Sequence, residues 1–286
     1  MEKPRATHNI HQSLMPFVTR SQVLTEDMVR RVAAMLGLSD IEMSSGGAAP
    51  FGWHFPLLGA ETYRHSLRGD GFPGLGIPFP SRSGKRLIAA GRTVDAHGTI
   101  QIGKAIERTS RIKSVKPKLT AQGEMTIVIV RHDLHDQDTN AQLVAEEQTY
   151  ILLDTRYSPT LAEAQPTQLL GPVVHSVTPD ENLLFQFSAL SFNSHKIHLD
   201  RDYAREVEGY PDLVVNGGLT TLLMTEIARV THRSNITRLK VRNTVPLFCN
   251  RAIRFTRHDS GGRRTIAALD HCGRMAAEME YELNDV

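Results

Sequence analysis

Asn193, His195, His198 and Asp200 crowd into one stretch, Phe187-Ser-Ala-Leu-Ser-Phe-Asn-Ser-His-Lys-Ile-His-Leu-Asp200. Tyr210-Pro-Asp-Leu-Val-Val-Asn-Gly-Gly-Leu219 follows closely. An imidazole changes charge near neutral pH and can take or give a proton, so His198 is the leading acid-base candidate. Gly217 follows Asn216 where an apolar helix begins. Its backbone N–H can point at a carbonyl with the helix dipole behind it, and the missing side chain permits close approach. Two plainer readings stand beside these. His198, Leu199 and Asp200 also suit a structural histidine bonded to a carboxylate. Gly217 and Gly218 also suit tight helix–sheet packing or a turn. Asp200, Arg201 and Asp202 read as the cap of a short helix, Asp202 to Val207.

Other constellations are weaker. His195-x-x-His198 and His132-x-x-His135 have metal-like spacing only on a helix, and neither lies in an expected helix. Extended backbone would send the two rings to opposite faces, so no metal is expected. Gly74-Leu-Gly76 lacks the third glycine of a dinucleotide loop, and Ser81-Arg-Ser-Gly-Lys85 lacks the first glycine of a P-loop. No Gly-x-Ser-x-Gly elbow is present.

The elements around these residues follow from periodicity. Residues 21 to 37 read as a helix with Thr25 as N-cap, Glu26 and Asp27 at its positive end and Gly37 as its stop. Ser44 to Gly91, rich in Gly, Pro and Ser, reads as a long ordered loop or lid, interrupted by an apolar turn from Trp53 to Leu58. Strand signals cover 100 to 111, 125 to 131 and 143 to 153, then 238 to 246, 251 to 258, 264 to 270 and 275 to 283. Between them lies a loop around Gln165 to Thr178. Leu213 to His232 is the strongest helix and has few polar faces, as a helix enclosed by sheet requires. Val144-Ala-Glu-Glu-Gln-Thr-Tyr-Ile-Leu152 resembles Met275-Ala-Ala-Glu-Met-Glu-Tyr-Glu-Leu283. A helix followed by antiparallel strands, stated twice, suggests a duplicated α+β unit.

The stretch from Asn193 to Asp200, with the glycine that opens the helix, resembles the motif of the MaoC-like enoyl-thioester hydratases, Asp-x-Asn-Pro-aliphatic-His-x-Asp. Ile197, His198 and Asp200 fit it. Asn193 stands at the aspartate, His195 at the asparagine and Lys196 at the proline. That pattern looks like the branch acting on itaconyl-CoA and mesaconyl-CoA. The resemblance implies a tandem (double) hotdog, each unit a curved antiparallel sheet around a long buried central helix. Residues 1–160 would be a degenerate N-terminal unit shaping the tunnel, and residues 161–286 the unit with the motif. It also implies a hydro-lyase adding water to a short branched or dicarboxylic enoyl-CoA. The alternatives are a hotdog acyl-CoA thioesterase, a general (R)-3-hydroxyacyl-thioester dehydratase and a non-catalytic acyl-CoA binder.

Hydration needs a water activator, a proton for the α-carbon, and donors for the thioester oxygen. By resemblance, Asn193 and His198 bind the water and Gly217 holds the carbonyl. His195, Asn216 and Gly218 contact substrate. Asn193 can orient water but cannot act as a base. Three readings stay open: His198 acts alone, His195 supplies a second titrating group, or the substrate's own carboxylate assists. A thioesterase carboxylate on the central helix would be Glu226, two to three turns past Gly217 and poorly placed.

With 286 residues, 40% hydrophobic and 22% charged, the chain has the composition of a folded globular protein. A formal charge of +2 gives no general bias toward nucleic acid. Basic residues, Arg229, Arg233, Arg238, Lys240, Arg242, Arg251, Arg254 and Arg257 with Lys113, Lys116 and Lys118, read mainly as solvated surface. One or two of them are expected to meet CoA phosphates or a substrate carboxylate. Cys249 and Cys272 have neither zinc nor disulfide spacing and suit a reducing cytosol. The N-terminus lacks the apolar core of a signal peptide, and no apolar run is long enough for a membrane span. The expectation is a cytoplasmic protein with no cofactor, a CoA-thioester substrate, no nucleic-acid or membrane partner, and homo-oligomers of the tandem unit left open.

Overall fold

The computed structural model describes residues 17–39, 45–78, 86–120, 123–158, 171–232 and 234–284. Its strands are β1 Phe17–Val23, β2 Arg86–Ala96, β3 Ala105–Thr120, β4 Gly123–Asp136, β5 Gln142–Leu153, β6 Val173–Val177, β7 Ile236–Asn243, β8 Ile253–Ser260, β9 Arg263–Leu269 and β10 Met275–Leu283. They form one antiparallel sheet in the order β1-β3-β4-β5-β2-β7-β10-β9-β8-β6. Read from each edge inward, the first five strands and the last five follow the same order. This is a hotdog-type α+β fold. The seam is the pairing of β2 with β7, from Gly91 opposite Arg242 to Asp95 opposite Arg238.

Period-two patterning explains the strands. In β4, Thr126, Val128, Val130 and His132 face inward and their neighbours lie nearer solvent. Helix α1, Glu26–Met35, starts where Thr25 accepts a hydrogen bond from the Met28 N–H and stops before Gly37, whose φ is 69°. Residues 21 to 23, expected to be helical, instead end β1. Helix α2, Glu181–Leu190, is capped by the Asp180 side chain on the Leu183 N–H. It takes the first residues, Phe187 to Leu190, of the stretch that carries the candidate residues. Helix α3 runs from Gly217 to His232 and packs on β7, β9 and β10; the helix expected from Leu213 starts later, because the backbone of Leu213, Val214 and Val215 bonds instead to Cys249, Ile197 and Leu247. It buries Leu219, Leu222, Met224 and Ala228, while Val230 near its end is exposed. In the first half, a single 3-10 turn of buried residues, Phe55–Leu58, stands in place of a long helix.

Three strands escaped the sequence reading. β1 is short and half-exposed. β2 begins inside the expected loop. It contains a bulge and Gly91, where an added Cβ would lie 2.6 Å from the Val241 carbonyl oxygen across the seam, so the glycine marks close backbone approach and not a turn. β6 is a mostly exposed strand within the expected loop of residues 165–178, of which 165–170 lie outside the described residues. The expected lid retains no regular element across 71–78. Ser81 to Lys85 lie outside the described residues. Among the described residues no helix is long and apolar enough to cross a membrane.

Candidate active site

The loop after α2 is folded by its own polar groups. Phe192 adopts a left-handed φ of 49°, and the Asn193 N–H returns to the Ser188 carbonyl at 2.8 Å. Asn193 Oδ1 then accepts from the His195 N–H at 3.1 Å, a local turn that sends His195 inward. Residues 69–71 of the first half clamp this loop. The Lys196 N–H bonds the Asp70 carbonyl at 2.8 Å, Ser194 Oγ bonds the Gly71 carbonyl at 2.7 Å, and Lys196 Nζ bonds the Gly69 carbonyl at 3.0 Å. Gly71 has a φ of +79°, and a Cβ there would lie 2.4 Å from the Ser194 carbonyl oxygen. Only glycine permits this contact.

His198 is buried in a 3-10 turn, and its Nδ1 lies 2.7 Å from the Val214 carbonyl oxygen. A carbonyl only accepts, so Nδ1 carries the proton. In the neutral ring, Nε2 therefore holds the lone pair on the cavity side. Burial, and to a lesser degree the neighbouring His195, push the His198 pKa down to about 3, against the modest pull of the Val214 carbonyl. The extended residues Leu213 to Val215 lead directly from this carbonyl into α3, whose first N–H groups have no acceptor within the helix.

His198, Asn193, His195, Asn216, Gly217 and Gly218 all line one cavity of roughly 370 Å³. Its walls come from both halves, with Phe55, Phe72, Leu87 and Tyr150 facing Val214, Pro246 and Ala277. Such a space suits a small acyl group with a few convergent polar groups.

The fold has solved counterparts. A MaoC-like dehydratase from Phytophthora capsici superposes with a TM-score of 0.72 at 13% identity, covering 95% of this chain and 96% of its own. A 12:0-ACP thioesterase from Umbellularia californica shares the fold more distantly, with a TM-score of 0.56, 12% identity and coverage of 94% and 97%. In sequence, the chain is 31% identical to the mesaconyl-C(4)-CoA hydratase of Chloroflexus aurantiacus over 284 residues, 94% of this chain and 97% of the relative. The family model for hydroxyacyl-thioester dehydratase type 2 matches residues 52–249. The chain belongs to this MaoC-like dehydratase family.

The structure corrects one expectation drawn from the His195-x-x-His198 spacing. The rings of His195 and His198 do not point to opposite faces. They meet edge to face with centroids 5.5 Å apart, because the backbone turns into a 3-10 helix at Lys196 and is not extended. His195 Nε2 lies 3.7 Å from Asp70 Oδ2 and 3.8 Å from Glu208 Oε1, close enough for strong electrostatics but not for good hydrogen bonds. Burial would raise the Asp70 carboxyl. The Arg68 side chain, His195 and the Phe72 N–H outweigh it and hold the pKa below the ordinary value. His195 thus has an ionised carboxylate beside it inside the protein.

A second polar cluster was missed by sequence. Glu146 is fully buried, with His54 Nε2 3.1 Å from its Oε2, while Arg92 Nε at 3.2 Å and Gln148 Nε2 at 2.7 Å meet Oε1. Burial would raise the Glu146 pKa, but Arg92 and His54 overcome it and hold it at about 2. His132 lies deep in the same half, Nδ1 2.8 Å from Ser110 Oγ, and burial pushes its pKa down to about 4. Two signals pointed here: His54 beside Trp53, and Glu146 on the same strand face as Val144 and Leu152.

Other flagged groups are engaged elsewhere. Glu226 accepts from Trp53 Nε1 at 2.7 Å and from Arg229, and it does not line the cavity. Arg238, Arg242, Arg257 and Lys113 pair with Asp95, Glu278, Asp259 and Glu147. The arginines of the cavity wall are Arg86 and Arg92 on β2.

The buried titrating groups set an acid limit. Unfolded, His132 and His198 take up protons near 6.5; folded, they wait until about 4 and about 3. Acid therefore favours the unfolded chain. Glu146, ionised down to about 2 when folded but protonated near 4.5 when unfolded, acts in the same direction below 4.5. Stability is expected to fall as pH drops from about 7 to 4.5, by up to ~1.4 kcal/mol per pH unit for each histidine. Denaturant melts across that range measure it; a flat profile contradicts the buried, neutral assignment.

Proposed function

We propose that the protein reversibly adds water to the double bond of a short enoyl-CoA whose acyl group carries a second carboxylate, of the mesaconyl-CoA or itaconyl-CoA type. The hydratase chemistry is carried by His198, whose tautomer is set by Val214 and whose Nε2 shares a cavity with the start of α3. Support for the acyl class comes from the likeness to the mesaconyl-C(4)-CoA hydratase along nearly the whole chain.

In this reading the thioester carbonyl accepts the Gly217 N–H, and Gly218 and Asn216 line the adjoining wall. His198 Nε2 takes a proton from water as the oxygen bonds the β-carbon. The electron pair of the double bond moves through the α-carbon to the thioester oxygen, where the helix N-terminus stabilises it. Collapse of the enolate takes a proton at the α-carbon from the imidazolium, which restores His198. Asn193 commits Oδ1 to the His195 N–H, so it offers the water its NH₂ donors and not a base. His195, beside Asp70 and Glu208, is the nearest second imidazole ring. The same reading takes residues 1–160 as a degenerate unit walling the tunnel and 161–286 as the unit bearing the motif.

The substrate class is tested by comparing mesaconyl-C(4)-CoA, itaconyl-CoA and crotonyl-CoA for a gain of one water by mass spectrometry. The dicarboxylic thioesters are expected to react with the higher kcat/KM. A preference for crotonyl-CoA contradicts the proposed class, and no hydration of any of the three contradicts the activity.

A further inference from the structure

We propose that Arg92 is the specificity residue that receives the free carboxylate of the substrate's acyl group. This rests on the hydratase reading of the same cavity. Arg92 projects from β2 and packs its guanidinium on the Phe55 ring face, 3.9 Å from the centroid. Its Nε is fixed 3.2 Å from Glu146 Oε1. Its NH1 is buried with no hydrogen-bond partner, although the residue lines the cavity. The other terminal nitrogen lies toward the start of α3, 3.9 Å from where a Cβ on Gly218 would be.

A buried guanidinium N–H without an acceptor is costly, and native proteins rarely leave one that water, an ion or a ligand does not fill. The position also suits the task. Aromatic stacking and the Glu146 ion pair hold the planar fork rigid, so little ordering remains when an anion arrives. A carboxylate is the matching partner, because its two oxygens can take parallel N–H bonds from a guanidinium edge. Arg92 lies beside the residue after Gly217, within reach of a short acyl group whose thioester carbonyl sits on the Gly217 N–H. Arg86, the other arginine in the wall, fits less well. Its NH1 donates to Tyr210 Oη at 3.2 Å, its guanidinium lies near the Tyr157 and Tyr210 rings, and its buried unpartnered atom is the single Nε. A neutral acyl chain leaves the Arg92 donor empty, and a site built around a polar contact discriminates against analogues that lack it.

The test measures kcat/KM for mesaconyl-C(4)-CoA and crotonyl-CoA with the wild-type protein, Arg92→Lys, Arg92→Gln and Arg86→Lys. The wild type is expected to prefer the dicarboxylic thioester. Arg92→Gln should shrink that preference by about 10- to 100-fold, the effect of removing a charged hydrogen bond, and Arg92→Lys by less. The ratio is internal to each variant, so partial loss of folded protein does not mimic the result. If Arg92→Gln does not fold, Arg92→Gln combined with Glu146→Gln removes both charges of the pair and is read by the same ratio. An equal fall on both substrates would make Arg92 only a structural counter-ion and overturn the assignment. So would a shift in preference with Arg86→Lys but not with the Arg92 variants. Absence of turnover of either thioester by the wild type would instead overturn the hydratase reading itself.

Discussion

His198→Ala is expected to lower kcat by about 10³-fold or more, with the protein still folded. General acid-base groups typically contribute 10² to 10⁴-fold. Asn193 is not a base, and the His195 Nε2 lies beside the Asp70 and Glu208 carboxylates. Burial holds the free His198 imidazole neutral down to about 3, so its lone pair is available at every working pH. Such low proton affinity makes it a weak base in the empty cavity. An anion entering the cavity reverses the balance, because negative charge nearby favours the imidazolium. The developing enolate supplies that charge, and a second carboxylate on the substrate adds to it. The acid limb of kcat/KM should therefore not fall at the ordinary histidine value on account of His198. Steady-state rates for wild type and variant from pH 5 to 8 check both points; a variant retaining more than a tenth of wild-type kcat contradicts the assigned role.

Glu146→Gln is expected to destabilise the protein by about 3–5 kcal/mol, as when one partner of a buried ion pair is removed. Glu146 is wholly buried and shared by Arg92, His54 and Gln148. Its loss strands the Arg92 guanidinium, which has no other anion in the described contacts, in the protein interior. Denaturant unfolding at pH 7 measures the effect. A loss below 1 kcal/mol would show that the cluster is hydrated or loosely packed. Because Arg92 also faces the cavity, surviving Glu146→Gln protein should show a raised KM as well as a lowered stability.

What could be read from the sequence divides by distance along the chain. His198, Asn193 and Gly217 were visible because the loop and the helix start that hold them are local; the apolar run marked that a helix exists, but its first residues, Leu213 to Asn216, lie before α3 and are not helical. The β-branched run of β4 and the alternation in β10 were visible for the same reason. β2 was hidden because Gly91 answers a contact with Val241 on the seam, 150 residues away, and not a local turn. The clamp from Asp70 and Gly71 onto residues 194–196, and the pairing of His54 with Glu146, join segments whose own composition resembles loop or ordinary strand. The ring-to-ring contact of His195 and His198 was misread through an assumed extended backbone, which Lys196 N–H bonding to the Asp70 carbonyl helps to bend into a turn.

The most direct test of the central claim is turnover of mesaconyl-C(4)-CoA in H₂¹⁸O, followed by mass spectrometry of the intact thioester and assay of free thiol. The account predicts a hydroxyacyl-CoA carrying one ¹⁸O at the β-carbon, no burst of free CoA, and loss of labelling in His198→Ala. Release of free CoA with ¹⁸O in a carboxylic acid product would mean that water attacks the thioester carbonyl and not the double bond, and would contradict it.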